Sequence, residues 1–217
     1  QGYSPFSTWT RGHAWILLGL AEQLEFFDFI GENGWPETVH DLFPQREGFI
    51  QRVVESATAV ADFYLAETPA DGIPYWDTGA PGLAKLGDYK ARPADPFNPY
   101  EPVDSSAAAI AAQGLLRLGN WLRSRGEAAQ GDRYVNAGLN VSSRLFEEPY
   151  LSPQPDHEGL ILHSIYHRPN GWDYIPPGKT IPSGESTMWG DYHALELGIY
   201  LKSLIDSPVP YRFFEVR

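Results

Sequence analysis

The chain has 217 residues, enough for one domain with a sizeable core or two small ones. Hydrophobic residues at 42% and charged residues at 20% exclude a disordered chain, and a formal net charge of −12 argues against a nucleic-acid backbone or an anionic membrane as partner. Cysteine is absent, which removes disulfides, thiolate metal ligands and cysteine nucleophiles and leaves cytoplasmic, periplasmic and secreted locations equally compatible.

No run of residues approaches the ~18 apolar positions of a membrane-spanning helix. The first helical signal runs from about Thr8 to Phe27, where Ala14, Leu17, Leu18, Ala21 and Leu24 recur at helical spacing. Ser7 or Thr8 is placed to cap it, and Gly31 to Pro36 reads as a turn. A second helix is predicted over Gln45 to Glu67, with Ile50, Val53, Val54, Ala57, Val60, Ala61 and Tyr64 on one face. The third opens at Asp104-Ser105-Ser106 and continues through Ala107 to Ala112, small or apolar all round, as in a helix buried on every side. A fourth, about Ala128 to Phe146, is amphipathic. A fifth, about Thr187 to Ile205, carries Tyr192, Leu195, Ile199 and Leu204. No segment alternates with the period of a strand.

The first, third and fifth helices thus read as an inner layer and the second and fourth as an outer one. That pattern belongs to an all-α barrel or toroid of helical hairpins. Two connections, residues 68–103 and 147–186, hold fourteen of the nineteen prolines and many aromatic residues. Each leads into an inner helix, so both are expected to fold over the end where inner-helix N-termini gather.

Arg11 and Trp15 share a helix face by their i, i+4 spacing. An arginine in a first turn opposes the helix dipole, and a bound carboxylate would relieve the mismatch. The alternative is a buried arginine paired with a structural aspartate beside a core tryptophan. Asp104 is a helix cap or the partner of Arg11 before it is a catalytic acid. Asp191 suits the first turn of the last helix by dipole alone, and Tyr192 can donate a hydrogen bond to a ligand hydroxyl. His157, His163 and His167 form no recognised metal-ligand set, so no metal site is expected.

Five segments in order now point to a family. Gln1-Gly2-Tyr3-Ser4 with Trp9-Thr10-Arg11-Gly12-His13-Ala14-Trp15 resembles the motif of unsaturated glucuronyl hydrolases, glycoside hydrolase family 88. So do Asp71 to Asp77 with Ala80-Pro81, Asp104 to Ala112, Glu158 to His163, and Trp189-Gly190-Asp191-Tyr192. The resemblance implies an (α/α)6 barrel and release of a 4,5-unsaturated uronic acid from the non-reducing end of lyase-generated oligosaccharides. The chemistry it implies is hydration of the sugar's vinyl ether double bond, with no metal or organic cofactor. By motif position Gln1, Arg11, Trp15 and Tyr192 are substrate-binding residues. Ser4, His13, Asp104, Trp189 and Asp191 support them. His13 stands where the family usually has glutamine.

The family's two important aspartates lie in motifs absent from these residues, upstream of the position of Gln1. A barrel of twelve helices needs roughly 350–420 residues at ~15–20 per helix plus connections. The whole of 1–217 is therefore expected to be the C-terminal portion of one catalytic domain, with the N-terminal half of the barrel as its partner. Self-association is a second way to cover the flanks that a half-barrel exposes. Two other readings stand beside this one: an unsaturated rhamnogalacturonyl hydrolase, disfavoured by Ala14 and Trp15, and a non-catalytic carbohydrate-binding helical module.

Overall fold

The structure is a computed structural model that describes residues 1–33, 46–207, 210–212 and 214. Among these residues there are five α-helices: α1 (Thr10–Asn33), α2 (Arg46–Glu67), α3 (Ser105–Ser124), α4 (Ala128–Leu145) and α5 (Met188–Asp206). Short 3-10 turns at Pro81–Leu86, Tyr89–Ala91 and Arg168–Asn170 punctuate the long connections. Among the described residues there is no strand, only isolated antiparallel bridges at Trp9–Asp77, Tyr75–Val103 and Leu151–Ile161. No helix among them is long and apolar enough to cross a membrane. The fold is the expected all-α one, in two layers.

The central element is α3. Every residue from Glu101 to Gly119 is buried. It packs against α1 on one side, α5 on the other and α4 behind, while α2 backs α1. Small residues make these approaches possible. A methyl group on Gly114 would meet the Leu18 backbone nitrogen at 2.9 Å and Leu17 Cγ at 2.7 Å. Gly119 and Gly131 mark the closest crossing of α3 and α4, where a Cβ on Gly119 would lie 2.7 Å from the Gly131 carbonyl oxygen. The outer helices each bury one stripe: Val53, Ala57, Ala61 and Tyr64 on α2, and Tyr134, Val135, Val141 and Leu145 on α4.

Helix ends follow local chemistry. Asp104 caps α3 by accepting from Ser106 N at 3.1 Å, and the Thr187 hydroxyl caps α5 by accepting from Gly190 N at 3.2 Å. At α1 the expectation fails. Ser7 closes its own turn with Ser4, Thr8 N donates to Thr78 Oγ1, and the Trp9 carbonyl takes the first helical hydrogen bond from His13 N. The helix also runs through Asn33, past the predicted stop at Phe27 and over the predicted turn at Gly31–Asn33; Gly34, Trp35 and Pro36, and Gln45 at the expected start of the second helix, lie outside the described residues.

Among the described helices only α3 is buried all round, over Ser105 to Gly119. The expected burial of α1 and α5 holds on one flank each, because each has a single inner-layer neighbour. Ile16 and Phe26 on α1 are exposed, as are Met188, Tyr192, Leu195 and Ile199 on α5.

Both long connections are ordered and lie over the N-terminal ends of α1, α3 and α5. Thr10 N donates to Trp76 O, Trp76 N to Pro102 O and Asp104 N to Pro74 O, which stitches loop 68–103 between α1 and α3. Ser105 N donates to His163 O and Ser164 N to Glu185 O, which ties the second loop between α3 and α5. Buried carboxylates hold the turns. Asp77 accepts from Tyr3 N and Gly79 N, each at 2.8 Å, and Glu101 accepts from Trp76 Nε1 and Gly82 N, also at 2.8 Å.

Two glycines should respond oppositely to the same change. Gly119→Ala forces backbone apart and should cost about 1–3 kcal/mol. Gly198, inside α5, faces open space, so Gly198→Ala should stabilise by about 0.5–1 kcal/mol. Urea denaturation of the two variants measures both.

Candidate functional site

Arg11 occupies the first turn of α1 and is only 2% exposed. Its Nη1 donates to Ser106 Oγ at 3.3 Å and to the Ile165 carbonyl, and its Nη2 donates to the Tyr166 carbonyl at 2.9 Å. The same Nη1 lies 3.5 Å from Asp104 Oδ2. Three indole rings surround the guanidinium: Trp189 at 4.8 Å, Trp9 at 5.0 Å and Trp15 at 5.7 Å. One side chain therefore joins the starts of α1, α3 and α5 to the loop at 163–166. The arrangement present is the paired, buried arginine. It sits beneath the aromatic wall rather than on its open face.

Beyond Trp189 the aromatic residues continue. Tyr166 stands 5.3 Å from Trp189 and 5.4 Å from Trp172, centroid to centroid. The loop is shaped for this by Asp173, which accepts from Tyr166 N and His167 N and so folds 166–173 back on itself. The His167 ring in turn accepts from Asn170 N at 3.3 Å, closing the 3-10 turn. The result is an open basin of about 370 Å³ at the start of α5, walled by Tyr166, Trp172, Tyr174 and Trp189. Flat apolar rings flanked by polar groups suit a sugar, whose C–H faces stack while its hydroxyls bond.

A second polar network lies between α1 and α5. Trp15 Nε1 donates to His193 Nε2 at 3.2 Å, and His193 Nδ1 faces Glu196 Oε2 at 3.2 Å. Accepting from Trp15 requires the proton to sit on Nδ1, toward the carboxylate. Gln113 Nε2 donates to the same Glu196 oxygen at 3.1 Å. Burial works against the Glu196 charge, but the hydrogen bonds from His193 and Gln113 and the charge of Arg117 hold its carboxyl below the usual range. Deeper still, Arg117 is fully buried against Glu25 at 2.7 Å, with the Tyr200 ring 4.4 Å away. Burial raises Glu22 and Glu25 above the usual carboxylate range, and Arg117 offsets part of that.

Of the residues singled out from sequence, the structure brings Arg11, Trp15, Asp104 and Trp189 into one cluster. Asp104 is both cap and partner of Arg11. Tyr192 is exposed beside His193. Asp191 accepts from Ile161 N at 2.9 Å and holds the loop. Gln1 is exposed, and Ser4 is engaged with Ser7. His13 points the other way: its Nε2 bonds the Val60 carbonyl at 2.8 Å and its ring packs on Phe63, so it joins α1 to α2. From sequence, Ser106 and His193 stand in candidate segments without a role of their own, and the carbonyls of Ile165 and Tyr166, Gln113 and Glu196 are not singled out. Only the i, i+3 spacing of His193 and Glu196 was visible beforehand. Among the described residues no group of three His, Asp or Glu could hold a metal ion.

With this geometry in hand, the relatives are informative. No family model matches the chain. It is 29% identical over 196 residues to the unsaturated glucuronyl hydrolase of Bacillus sp. (strain GL1), covering 90% of this chain and 40% of that protein. It is 28% identical to the unsaturated chondroitin disaccharide hydrolase of Streptococcus pneumoniae (strain ATCC BAA-255 / R6), covering 90% of this chain and 38% of that protein. The crystal structure of the unsaturated glucuronyl hydrolase from Bacillus sp. GL1, responsible for the degradation of glycosaminoglycan, superposes with a TM-score of 0.64 at 27% identity, covering 100% of this chain and 44% of that one. The chain is thus related to the unsaturated glucuronyl hydrolases in sequence and in fold, as its five motifs implied. It spans about two fifths of the length of the curated relatives it matches.

Two measurements check the electrostatics. Arg11→Ala leaves Asp104 buried without its cation and should cost about 3–5 kcal/mol in urea denaturation, whereas Arg11→Met with Asp104→Asn should recover part of the loss. The second concerns His163, which is buried at φ +68° with Nδ1 accepting from Gly184 N. Burial lowers its pKa from 6.5 to about 4. Between those values the unfolded chain binds a proton that the folded chain does not, so stability due to His163 is complete above 6.5 and is lost as pH falls toward 4. Glu22 and Glu25, being raised, act with the opposite sign. The clean readout is therefore wild type against His163→Asn, since asparagine tolerates positive φ. Wild type should lose about 2 kcal/mol more than the variant between pH 6.5 and 5.

Proposed function

We propose that this chain forms part of a glycoside hydrolase that releases a 4,5-unsaturated uronic acid from the non-reducing end of lyase-generated oligosaccharides. The observation that carries the reading is the relationship to unsaturated glucuronyl hydrolases over 90% of the chain, with an aromatic wall gathered where the inner helices begin. In the proposed reaction a proton adds to C4 of the vinyl ether and water adds to C5. The resulting hemiketal opens, the bond at C1 breaks, and the second sugar leaves with a free hydroxyl. The reaction needs an acid that can also serve as a base.

The aspartates of the second and third motifs are poorly suited to that role. Asp71 and Asp77 are buried and bonded to backbone N–H groups, and Asp104 is committed to its cap and to Arg11. We therefore assign the acid–base aspartate to a part of the protein beyond these 217 residues, within an N-terminal half of the toroid that would also cover the open flanks of α1 and α5. Within this chain, Trp15, Trp189 and Tyr192 face the sugar, Gln1 contributes from the loop edge, and Arg11 positions the indoles from below.

The test is turnover of an unsaturated uronyl disaccharide by the complete protein, followed as loss of absorbance of the conjugated double bond. Tyr192→Phe removes one hydroxyl from an exposed position and should lower kcat/KM by roughly 2- to 10-fold with no change in stability. Saturable binding of the disaccharide with no turnover would overturn the proposal in favour of a carbohydrate-binding module.

A further inference from the structure

Trp15 stands on α1 with its ring 40% exposed, and α3 separates that helix from α5. Trp9 meets the ring edge-on at 5.7 Å, and the Arg11 guanidinium lies 5.7 Å from its centroid. The Nε1 edge reaches across to α5, where it donates to His193 Nε2 at 3.2 Å. Only the tautomer of His193 with its proton on Nδ1 can accept that hydrogen bond. Glu196 Oε2 is 3.2 Å from Nδ1, and as a carboxylate it accepts and cannot donate. Gln113 is fully buried on α3, and its Nε2 donates both to Glu196 Oε2 and to the His193 carbonyl, each at 3.1 Å. Orientation thus passes from a buried amide of the central helix, through a carboxylate and an imidazole, to an exposed indole. Leu18 and Glu22 from α1 and Tyr192 from α5 complete a cavity of about 200 Å³ around the imidazole and the carboxylate.

We infer that His193 is a positioning residue for the sugar site: it fixes the rotation of the Trp15 ring, and with it the plane on which the sugar stacks. The inference rests on the placement of Trp15 against the sugar proposed above. Glu196 and Gln113 act one step further back, by holding the tautomer. An unrestrained indole turns about two side-chain torsions, and a ring already held loses less freedom when a ligand stacks on it. Such a ring serves substrate and transition state alike, so its loss appears in KM rather than in kcat.

The test uses the complete protein and an unsaturated uronyl disaccharide. His193→Phe keeps a ring but removes the acceptor, and His193→Leu does the same if the phenylalanine does not fit. Either should raise KM by about 2- to 10-fold, the scale of one hydrogen bond, while changing kcat less. His193→Gln places an amide oxygen near the position of Nε2 and should recover most of the loss. In a Trp15→Phe background the loss of the acceptor should have no further effect on KM, because the donor is already gone. The indole N–H resonance that Trp15→Phe removes should move upfield in His193→Phe. With wild type active, a KM that His193→Phe leaves unchanged, a loss that persists in His193→Gln or in the Trp15→Phe background, or a resonance that does not move overturns the role of His193 and leaves the proposed reaction standing. If wild type does not turn the disaccharide over, the proposed reaction fails, and the Kd from tryptophan fluorescence titration takes the place of KM. The same pattern across the variants then sustains the role; no saturable binding, or binding that His193→Phe leaves unchanged, overturns it.

Discussion

The pairing of Arg11 with Asp104 organises this molecule. Asp104 caps the central helix, and Arg11 begins the first. Their contact fixes where α1 and α3 start relative to each other. From the same guanidinium, hydrogen bonds reach the carbonyls of Ile165 and Tyr166, and the Trp189 ring of α5 closes over it. Taking both charges out of water is costly, and their attraction alone does not make the pair a source of stability. What it provides is registry. The hydrogen bonds of Arg11 reach α3 at Ser106 and the loop at 165–166, so neither can shift without leaving a buried polar group unsatisfied.

Registry at the helix starts depends in turn on how closely the helix bodies approach. α3 has neighbours on three sides, and its alanines and glycines let backbones come within contact of one another. A larger residue at Gly114 or Gly119 would push α1 or α4 outward and carry the loops above with it. The aromatic basin is thus held by two unrelated devices, small residues along the helices and buried ions at their ends. The loops need no regular structure of their own, because buried carboxylates such as Asp77 and Glu101 satisfy the backbone N–H groups a strand would otherwise pair.

Much of this was legible in the residues. The all-small run Ala107 to Ala112 marked the buried helix, the apolar stripe of α2 marked an outer one, and the prolines marked the connections. The end of α1 was misplaced because glycine and asparagine were weighed as a turn, whereas the helix carries them through Asn33. The dipole mismatch at Arg11 was read correctly as a demand for an anion. Whether that anion was a ligand or a side chain is a question of three-dimensional proximity, and residues 93 positions apart answer it. Trp15, His193 and Glu196 were equally opaque, since only the packing of α1, α3 and α5 brings the indole to the imidazole. His13 carried no sign that it faces α2 rather than the cluster.

The charge problem posed by composition also changes form. A net charge of −12 and an anionic sugar are reconcilable when local cations dominate, since charges beyond a Debye length of ~8 Å are largely screened. Arg11 was the obvious local cation, but it is neutralised by Asp104 and shielded by indoles, and Arg117 is likewise committed to Glu25. The open surface these residues support is aromatic and acidic. Flat rings flanked by polar groups suit C–H stacking and hydrogen bonds to hydroxyls. Burial sets the limit: once an arginine is used to align three helix ends, its charge is no longer available to a ligand.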